Sequence, residues 1–502
     1  MVPYDYFDTR EEKRMFCSIV EAVFHHAEKN PTKLCIADET EKFTYERFLH
    51  SIMNTAQKLE NAGIQKGDKV AVECTQDATF LIMGLACQFM GAVFIPLEKN
   101  ASKERVDDII GETEPKCFIC RSEYEVSVTV LKQEKFCGKE TAKGDRWMQF
   151  PNGEDVSEIL YSTGTTGKAK GIVITNGNNV AIAENIVYGT EMKKDSIELI
   201  PMPLSHSHAL RTCYANLVNG SSVVIMDGVM RVKKVFELME AYHVTALDLA
   251  PSGANVLMKL AKKKIKEYSE KIDFIEIGSA VLEEELKEML CQVFPKSRLY
   301  NFYGSTEAGR SCILDFNKVR GKRACIGKPT KNATFLITDQ DRKEIQSSAE
   351  NPGLLAIAGP MNMKEYFKAP QLTKQVVENG FIYTTDLGYM DADGYVYVLG
   401  RMDDVINYNG IKIAPEEIEN QVNKFPGVKD SACVPLKDEL SGQVPKVFVA
   451  VEDKERFDTT ELLIYLTEVI DGNKVPKKIE VIDEIPRTTN GKLLRRKLRE
   501  EM

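Results

Sequence analysis

An α/β fold, with a large N-terminal region and a small C-terminal unit, is predicted by three observations on the 502-residue chain. Helix-like and strand-like segments alternate up to about residue 300, a βαβα rhythm that implies parallel sheets covered by helices. Short strands and turns then take over, giving a β-barrel-like part. Past Arg401 a separate set of strands and helix starts forms an α+β unit that can fold on its own.

The elements follow in order. Phe48, Leu49, Ile52, Met53, Ala56 and Leu59 recur at helical spacing, Gly63 stops that helix, and residues 69–72 read as a strand. An apolar helix over about 79–90 ends at Gly91 and leads into a strand at 93–95. Strands are expected at 222–226, 246–249 and 274–277, with helices between them. Lysines 262, 263, 264 and 266 form a solvated face of one such helix. Residues 354–358 and 395–399 read as strands, and Asp393-Gly394 as a hairpin signal. In the C-terminal unit a helix starts at Pro415, an alternating strand covers 446–451, and Asp458 with Glu461 reads as a capping box.

Composition narrows the function classes. With 43% hydrophobic and 28% charged residues the chain is an ordinary globular protein of several domains. Its net charge of -9 argues against nucleic acid as a partner. The start, Met-Val-Pro-Tyr-Asp, lacks the basic and apolar regions of a signal peptide, and no run of about 18 apolar residues predicts a membrane span. The expected location is therefore cytoplasmic. The 12 cysteines show no repeated spacing, and Cys117-Phe-Ile-Cys120 reads as a buried strand rather than a metal knuckle.

The chemistry concentrates in Tyr161-Ser162-Thr163-Gly164-Thr165-Thr166-Gly167-Lys168-Ala169-Lys170-Gly171. A strand precedes this loop and the β-branched run 172–175 follows it. Glycines let backbone N–H groups approach a ligand, hydroxyls add donors, and Lys168 and Lys170 add charge, so the loop suits a polyphosphate. It lacks the Gly-Lys-Ser/Thr and following helix of the Walker loop. A plain surface hairpin is the alternative reading.

Six further segments carry candidate groups. Gly278-Ser279-Ala280 follows a strand end, where parallel sheets bind ligands. Asn301-Phe302-Tyr303-Gly304-Ser305-Thr306-Glu307 offers an aromatic face, hydroxyls and a carboxylate suited to Mg²⁺. Asp386 ends a strand with a group that can accept ribose hydroxyls, and Arg401 can reach the same sugar or a phosphate. Two of the six histidines, His206 and His208, flank a proline turn with Arg211 close behind. Lys492 sits on a Thr/Asn/Gly loop near the C-terminus.

In this combination and order the segments resemble the adenylate-forming superfamily of acyl- and aryl-CoA synthetases, carrier-protein adenylation domains and firefly luciferase. The resemblance runs over nearly the whole chain and is closest in style to the CoA ligases. It implies an AMP-binding domain over 1–402, a small mobile domain over 403–502, and two half-reactions using ATP, Mg²⁺ and coenzyme A. In the first, a substrate carboxylate attacks the ATP α-phosphate to give acyl-adenylate and pyrophosphate. In the second, a thiol takes the acyl group.

The same resemblance assigns roles. Ser162, Thr163, Gly164, Thr165, Thr166, Gly167, Lys168 and Lys170 would grip the outer phosphates. Gly278, Ser279, Ala280, Asn301, Tyr303, Gly304 and Ser305 would surround the nucleotide, with Asp386 and Arg401 on the ribose. Thr306 would meet the α-phosphate and Glu307 the Mg²⁺. His206 matches a histidine beside the acyl carboxylate, and Lys492 would bridge that carboxylate to the α-phosphate. Asp403 maps to the hinge, Gly410 and Lys412 to the thiol tunnel, and His206, His208, Arg211, Ser252 and Gly278 to the acyl pocket. Arg211 hints at a second acidic group on the substrate.

Several positions depart from the pattern: Asn407 and Asn409 stand where aryl-CoA members often carry lysines, and Asn176 replaces a usual histidine. No Phe-Asp pair accompanies His206, which argues against an amino-acid substrate. The alternative functions are a loader of an acyl carrier protein's phosphopantetheine and a non-catalytic nucleotide binder.

Overall fold

In the computed structural model, which describes residues 16–136, 150–162, 170–408, 411–438, 441–487 and 493–500, two large sheets are built around parallel strands. The larger has 14 strands. Leu34–Ala37, Ser222–Ile225, Ile197–Ile200, Ala246–Leu249, Phe274–Ile277 and Arg298–Ser305 pair in parallel in that order. Ser222–Ile225, Ala246–Leu249 and Phe274–Ile277 are short and buried on both faces, which explains why these stretches read as near-continuous apolar runs. Beyond Arg298–Ser305 the sheet turns antiparallel through Gly309–Asp315, Cys325–Pro329, Val396–Arg401, Phe381–Met390, Gly353–Ala358 and Thr334–Thr338. This is the turn-rich part of the sequence. Gly394, at φ +78, lies in the turn that joins Phe381–Met390 to Val396–Arg401.

A second sheet of seven strands runs Glu365–Tyr366, Lys170–Thr175, Val156–Ser162, Val93–Leu97, Lys69–Glu73, Cys117–Cys120 and Thr129–Lys132. Its last five strands are parallel, and Lys170–Thr175 returns antiparallel against Val156–Ser162. The Cys117 and Cys120 thiols are buried in their strand, and burial pushes them up to about 12 and about 11.

Five helices, Ile19–Lys29, Tyr45–Asn61, Ala78–Phe89, Asn176–Gly189 and Ser207–Asn219, share one apolar core with side chains of both sheets. Ala78–Phe89 is buried around its whole circumference, as a helix enclosed between layers must be. Lys103–Thr113 covers the outer face of the seven-stranded sheet. Val232–Tyr242, Pro251–Lys266 and Glu284–Val293 cover that of the larger one. The result is a layered helix–sheet–helix–sheet–helix stack.

The C-terminal unit has its own five-stranded sheet, in which Gly442–Val451 pairs with Val428–Asp438, Ile406–Tyr408 and Lys478–Ile482. Helices Pro415–Val422 and Thr459–Val469 complete its core. Asp458 caps the second of these by accepting from Thr460 N–H at 2.7 Å. A reciprocal capping box is instead made by Thr175 with Asn178, at the start of Asn176–Gly189. No helix among the described residues is long and apolar enough to cross a membrane.

Candidate active site

The 278–280 loop and Ser252 follow the C-terminal ends of parallel strands, whereas Lys170, Asp386 and Arg401 sit on antiparallel ones. Ser162 and Lys170 are register partners at the base of the Gly/Thr loop. Thr163, Gly164, Thr165, Thr166, Gly167, Lys168, Gly410 and Lys492 lie outside the described residues, as do the side chains of Ser162 and Lys412.

One cluster forms beside Lys170. Its ammonium lies 5.6 Å from the centre of the Tyr366 ring, and the Tyr366 hydroxyl donates to Glu307 Oε1 at 3.0 Å. Tyr366 is fixed by pairing with Ile172, two residues after Lys170. Burial and the neighbouring Glu307 charge raise the Tyr366 phenol, so it stays protonated and can only donate to that carboxylate. Glu307 lies in the tight turn between Arg298–Ser305 and Gly309–Asp315. Ser305 Oγ accepts from Ala308 N–H at 3.0 Å, and Met363 N–H donates to the Glu307 carbonyl at 2.7 Å. Thr306 occupies the same turn. Gly304 is required there, because a Cβ would stand 2.1 Å from the Gly309 carbonyl oxygen. A carboxylate oriented by a phenol, with the Lys170 ammonium beside that phenol's ring, is a fitting donor for Mg²⁺, a hard cation with oxygen ligands.

A second cluster joins Tyr303, Asp386 and Arg401. The half-buried Tyr303 hydrogen-bonds Asp386 Oδ2 through its hydroxyl, and Arg401 Nε lies 3.7 Å from Asp386 Oδ1. Asp386 and Arg401 are register partners on adjacent strands, so the backbone itself brings them together. Burial, then the Asp386 charge, pushes the Tyr303 phenol well up. Asn301 is paired with Ile277 in the neighbouring strand, beside Gly278. A Cβ at Gly278 would stand 2.1 Å from Phe302 Cζ, so only glycine fits against that ring. Ser279 follows with φ +73 and Ala280 completes the loop.

The third group surrounds His206. Gln76, itself at φ +53, donates to the carbonyls of Met202 (2.6 Å) and Met226 (3.1 Å) and accepts from Leu204 N–H at 2.9 Å. That clamp fixes the proline turn and places His206 at the start of Ser207–Asn219. Burial lowers the His206 pKa, with Arg105 and His208 adding to the effect and Glu98 opposing it, so its imidazole is neutral at pH 7. His208 bonds Ser279 Oγ and Asp248 Oδ1, both at 2.7 Å. Ser252 is exposed in the first turn of Pro251–Lys266.

Arg211 differs from its expected surroundings. It is 3% exposed, and its guanidinium hydrogen-bonds Glu158 and Asn179. The reason is electrostatic: Glu158 is fully buried, and a buried carboxylate holds a nearby cation. Gln88 and Tyr214 each donate to the same carboxylate at 3.1 Å. Arg211 Nη1 is thus engaged with Glu158 and Asn179, while its Nε and Nη2 are buried with no hydrogen-bond partner among the described residues.

On the C-terminal side, Asp403 offers its carbonyl to Arg499, and Asp404 pairs with Arg499 at 2.8 Å. Arg495 bonds Glu416 at 2.9 Å and Glu419 at 2.8 Å. The residues flanking 488–492 are held together, since Leu494 N–H donates to the Pro486 carbonyl at 2.9 Å and Arg487 forks onto Asp430 at 2.7 and 2.8 Å. Asn423 reaches Glu283, near the 278–280 loop, at 3.4 Å.

With this geometry in hand, comparison with known proteins is informative. The family profile described as AMP-binding enzyme matches residues 23–367, and that of the AMP-binding enzyme C-terminal domain matches residues 417–492. The chain belongs to the AMP-binding enzyme family. Among curated relatives of this AMP-binding enzyme, a feruloyl-CoA synthase from Amycolatopsis sp is 28% identical, over 91% of this chain and 93% of its own. A 2-succinylbenzoate–CoA ligase from Bacillus cereus is 27% identical, over 94% and 96%. Among solved structures, ATP-bound MatB from Rhodopseudomonas palustris superposes with a TM-score of 0.85 at 24% identity, covering 97% of this chain and 99% of its own. The o-succinylbenzoate CoA synthetase from Bacillus subtilis with its acyl-adenylate intermediate gives 0.84 at 23%, covering 95% and 97%. These likenesses bear out the adenylate-forming resemblance and the α/β architecture.

Some residues that build the site carry no sequence signal. Gln76 and Tyr366 belong to no motif, and only the folded chain brings them to the proline turn and to Glu307. Asp248 and Phe302 are candidates in the sequence itself. Asp248 is a lone acid in an apolar strand, and Phe302 adjoins Tyr303.

Proposed function

We propose that this AMP-binding enzyme is an ATP-dependent carboxylic acid–CoA ligase that forms an acyl-adenylate and releases pyrophosphate. The observation that carries the reading is the convergence of Lys170, Glu307 and Tyr366 in one cluster and Tyr303, Asp386 and Arg401 in another, from segments well separated in the chain. One cluster has the charges for phosphates, the other the groups for a nucleoside.

In this reading Tyr303 and the 278–280 loop flank the base, Asp386 accepts from the ribose hydroxyls, and Arg401 braces Asp386. Lys170 and the Gly/Thr loop orient the leaving pyrophosphate. Mg²⁺, held by Glu307, would neutralise phosphate charge. Thr306 donates to the α-phosphate, and neutral His206 stands beside the acyl carboxylate without repelling or sequestering it. Two anions must meet in the bond-forming step, so Lys492 supplies the cation where their charge converges. Residues 403–502 then pivot at Asp403, withdrawing Lys492 and admitting the thiol past Gly410 and Lys412. Lys492→Ala lowers adenylate formation by at least ~10²–10³-fold and leaves the fold intact.

The names of the curated relatives support CoA as acceptor and a carboxylic acid with an aromatic ring as substrate class. The test is a panel of aromatic, aliphatic and dicarboxylic acids incubated with ATP, Mg²⁺ and CoA, scored for thioester by mass. Thioester from at least one acid is expected. Adenylate formed but never passed to CoA would redirect the reading to a carrier-protein phosphopantetheine.

A further inference from the structure

Ser279 occupies an unusual position. Its φ of +73 lies in the left-handed region that residues with a Cβ enter at a cost, and it is exposed at the C-terminal end of Phe274–Ile277. Its Oγ lies 2.7 Å from His208 Nδ1, and His208 Nε2 lies 2.7 Å from Asp248 Oδ1. The Asp248 side chain is fully buried and the imidazole is 8% exposed. The carboxylate keeps the ring proton on Nε2, which leaves the Nδ1 lone pair to accept from the serine hydroxyl. Nucleophile, base and orienting acid are thus in line.

The surroundings favour proton transfer to that ring. Asp248 pairs in register with Glu276, and Glu198 with the neighbouring Ala246; all three carboxylates are fully buried. Arg310 bonds Glu276 and stacks 3.5 Å above Phe302, whose ring meets His208 edge-on at 4.7 Å. Burial and the two neighbouring acids push Glu198 well above the usual carboxylate range, and burial raises Glu276. The Arg310 guanidinium is taken up by Glu276, and the buried Asp248 carboxylate stands against the imidazolium that forms at His208.

We propose that Ser279 is a nucleophile activated by His208 and Asp248, giving the enzyme a hydrolytic activity toward activated acyl groups held at the 278–280 loop. This rests on the ligase reading for its natural substrate, the acyl-adenylate. Ser279 Oγ bonds to the acyl carbon as His208 Nδ1 takes the hydroxyl proton, the bond from that carbon to the phosphate oxygen breaks, and AMP leaves carrying the proton that His208 hands on to its phosphate, so the imidazole is neutral again. Water then attacks the acyl-serine ester, gives a proton to His208, and the carbon–Oγ bond breaks with the proton returning to Ser279. The sum is acyl-adenylate plus water giving acid plus AMP, a route that discards an acid activated in error.

The test uses the full-length enzyme and a fluorophosphonate probe, which phosphonylates an activated serine and expels fluoride, with the adduct mapped by mass. The expected result is an adduct on Ser279 whose rate of formation falls ~10²–10⁴-fold in His208→Ala. Asp248→Asn, which keeps the shape but loses the charge that fixes the tautomer, should fall by a similar factor. A folded wild-type enzyme with no adduct at Ser279, or labelling unchanged in His208→Ala, overturns the proposal. The probe needs neither ATP nor a carboxylic acid. Labelling without ATP–pyrophosphate exchange would uphold this inference against the ligase reading, and exchange without labelling the reverse.

Discussion

Replacing Arg211 with methionine separates a structural role from a substrate-reading one. The side chain is 4% exposed and that of its partner Glu158 is fully buried, so the substitution leaves a carboxylate in the core without its cation. Breaking such a pair costs about 3–5 kcal/mol. The lower end applies here, because Gln88 and Tyr214 still donate to Glu158 at 3.1 Å each. At roughly 2 °C per kcal/mol for a domain of some 200 residues or more, the apparent melting temperature should fall by roughly 5–10 °C. Adding Glu158→Gln removes the stranded charge while keeping an acceptor, and the double variant should regain more than half of the loss. Differential scanning fluorimetry of the wild type, both single variants and the double variant measures this. An Arg211→Met protein with an unchanged melting temperature that has lost activity on dicarboxylic acids alone would refute the structural account and return Arg211 to the pocket.

Three further outcomes are expected. Gly278→Ala forces a methyl group against Phe302, whose ring is hemmed in by Arg310 and His208, so stability should fall by about 1–3 kcal/mol and ATP affinity by roughly tenfold, read by calorimetry. Tyr366→Phe removes the 3.0 Å bond to Glu307, a hydrogen bond to a charged group worth about 1.5–3 kcal/mol, and should raise the Mg²⁺ concentration for half-maximal activity roughly tenfold or more. His26, whose ring bonds the Val218 carbonyl, has its pKa lowered by burial. Below about pH 6.5 the unfolded chain binds a proton that the folded state resists, so stability present above that pH is lost as pH falls through the folded value. His26→Asn should flatten the slope of melting temperature against pH between 8 and 5.

Much of the architecture is legible in the chain because its signals are local. Buried parallel strands such as 246–249 and 274–277 are short apolar runs, and the structure has them at Ala246–Leu249 and Phe274–Ile277. The helix around Phe48 extends from Tyr45 to Asn61 because the Thr44 hydroxyl accepts from Arg47 N–H at its start, a cap that needs no distant partner. The Gly/Thr loop and the 301–307 segment announce themselves by composition.

What the chain conceals is pairing over distance. Gln76 meets the proline turn 126 and 128 residues away, and Glu158 meets Arg211 across 53 residues. Arginine near two histidines reads as an anion contact, and the sequence carries no sign of the buried acid, Glu158, that pairs with it. His208, similarly, is one of a pair in sequence, whereas in the structure Asp248 and Ser279 distinguish it from His206.

The most direct measurement of the central claim is acid-dependent ATP–pyrophosphate exchange in the absence of CoA. Adenylation is complete before any thiol is needed, so the account predicts exchange that requires a carboxylic acid and Mg²⁺ and that disappears in Lys492→Ala. A protein that binds ATP yet shows no exchange with any aromatic, aliphatic or dicarboxylic acid would contradict it.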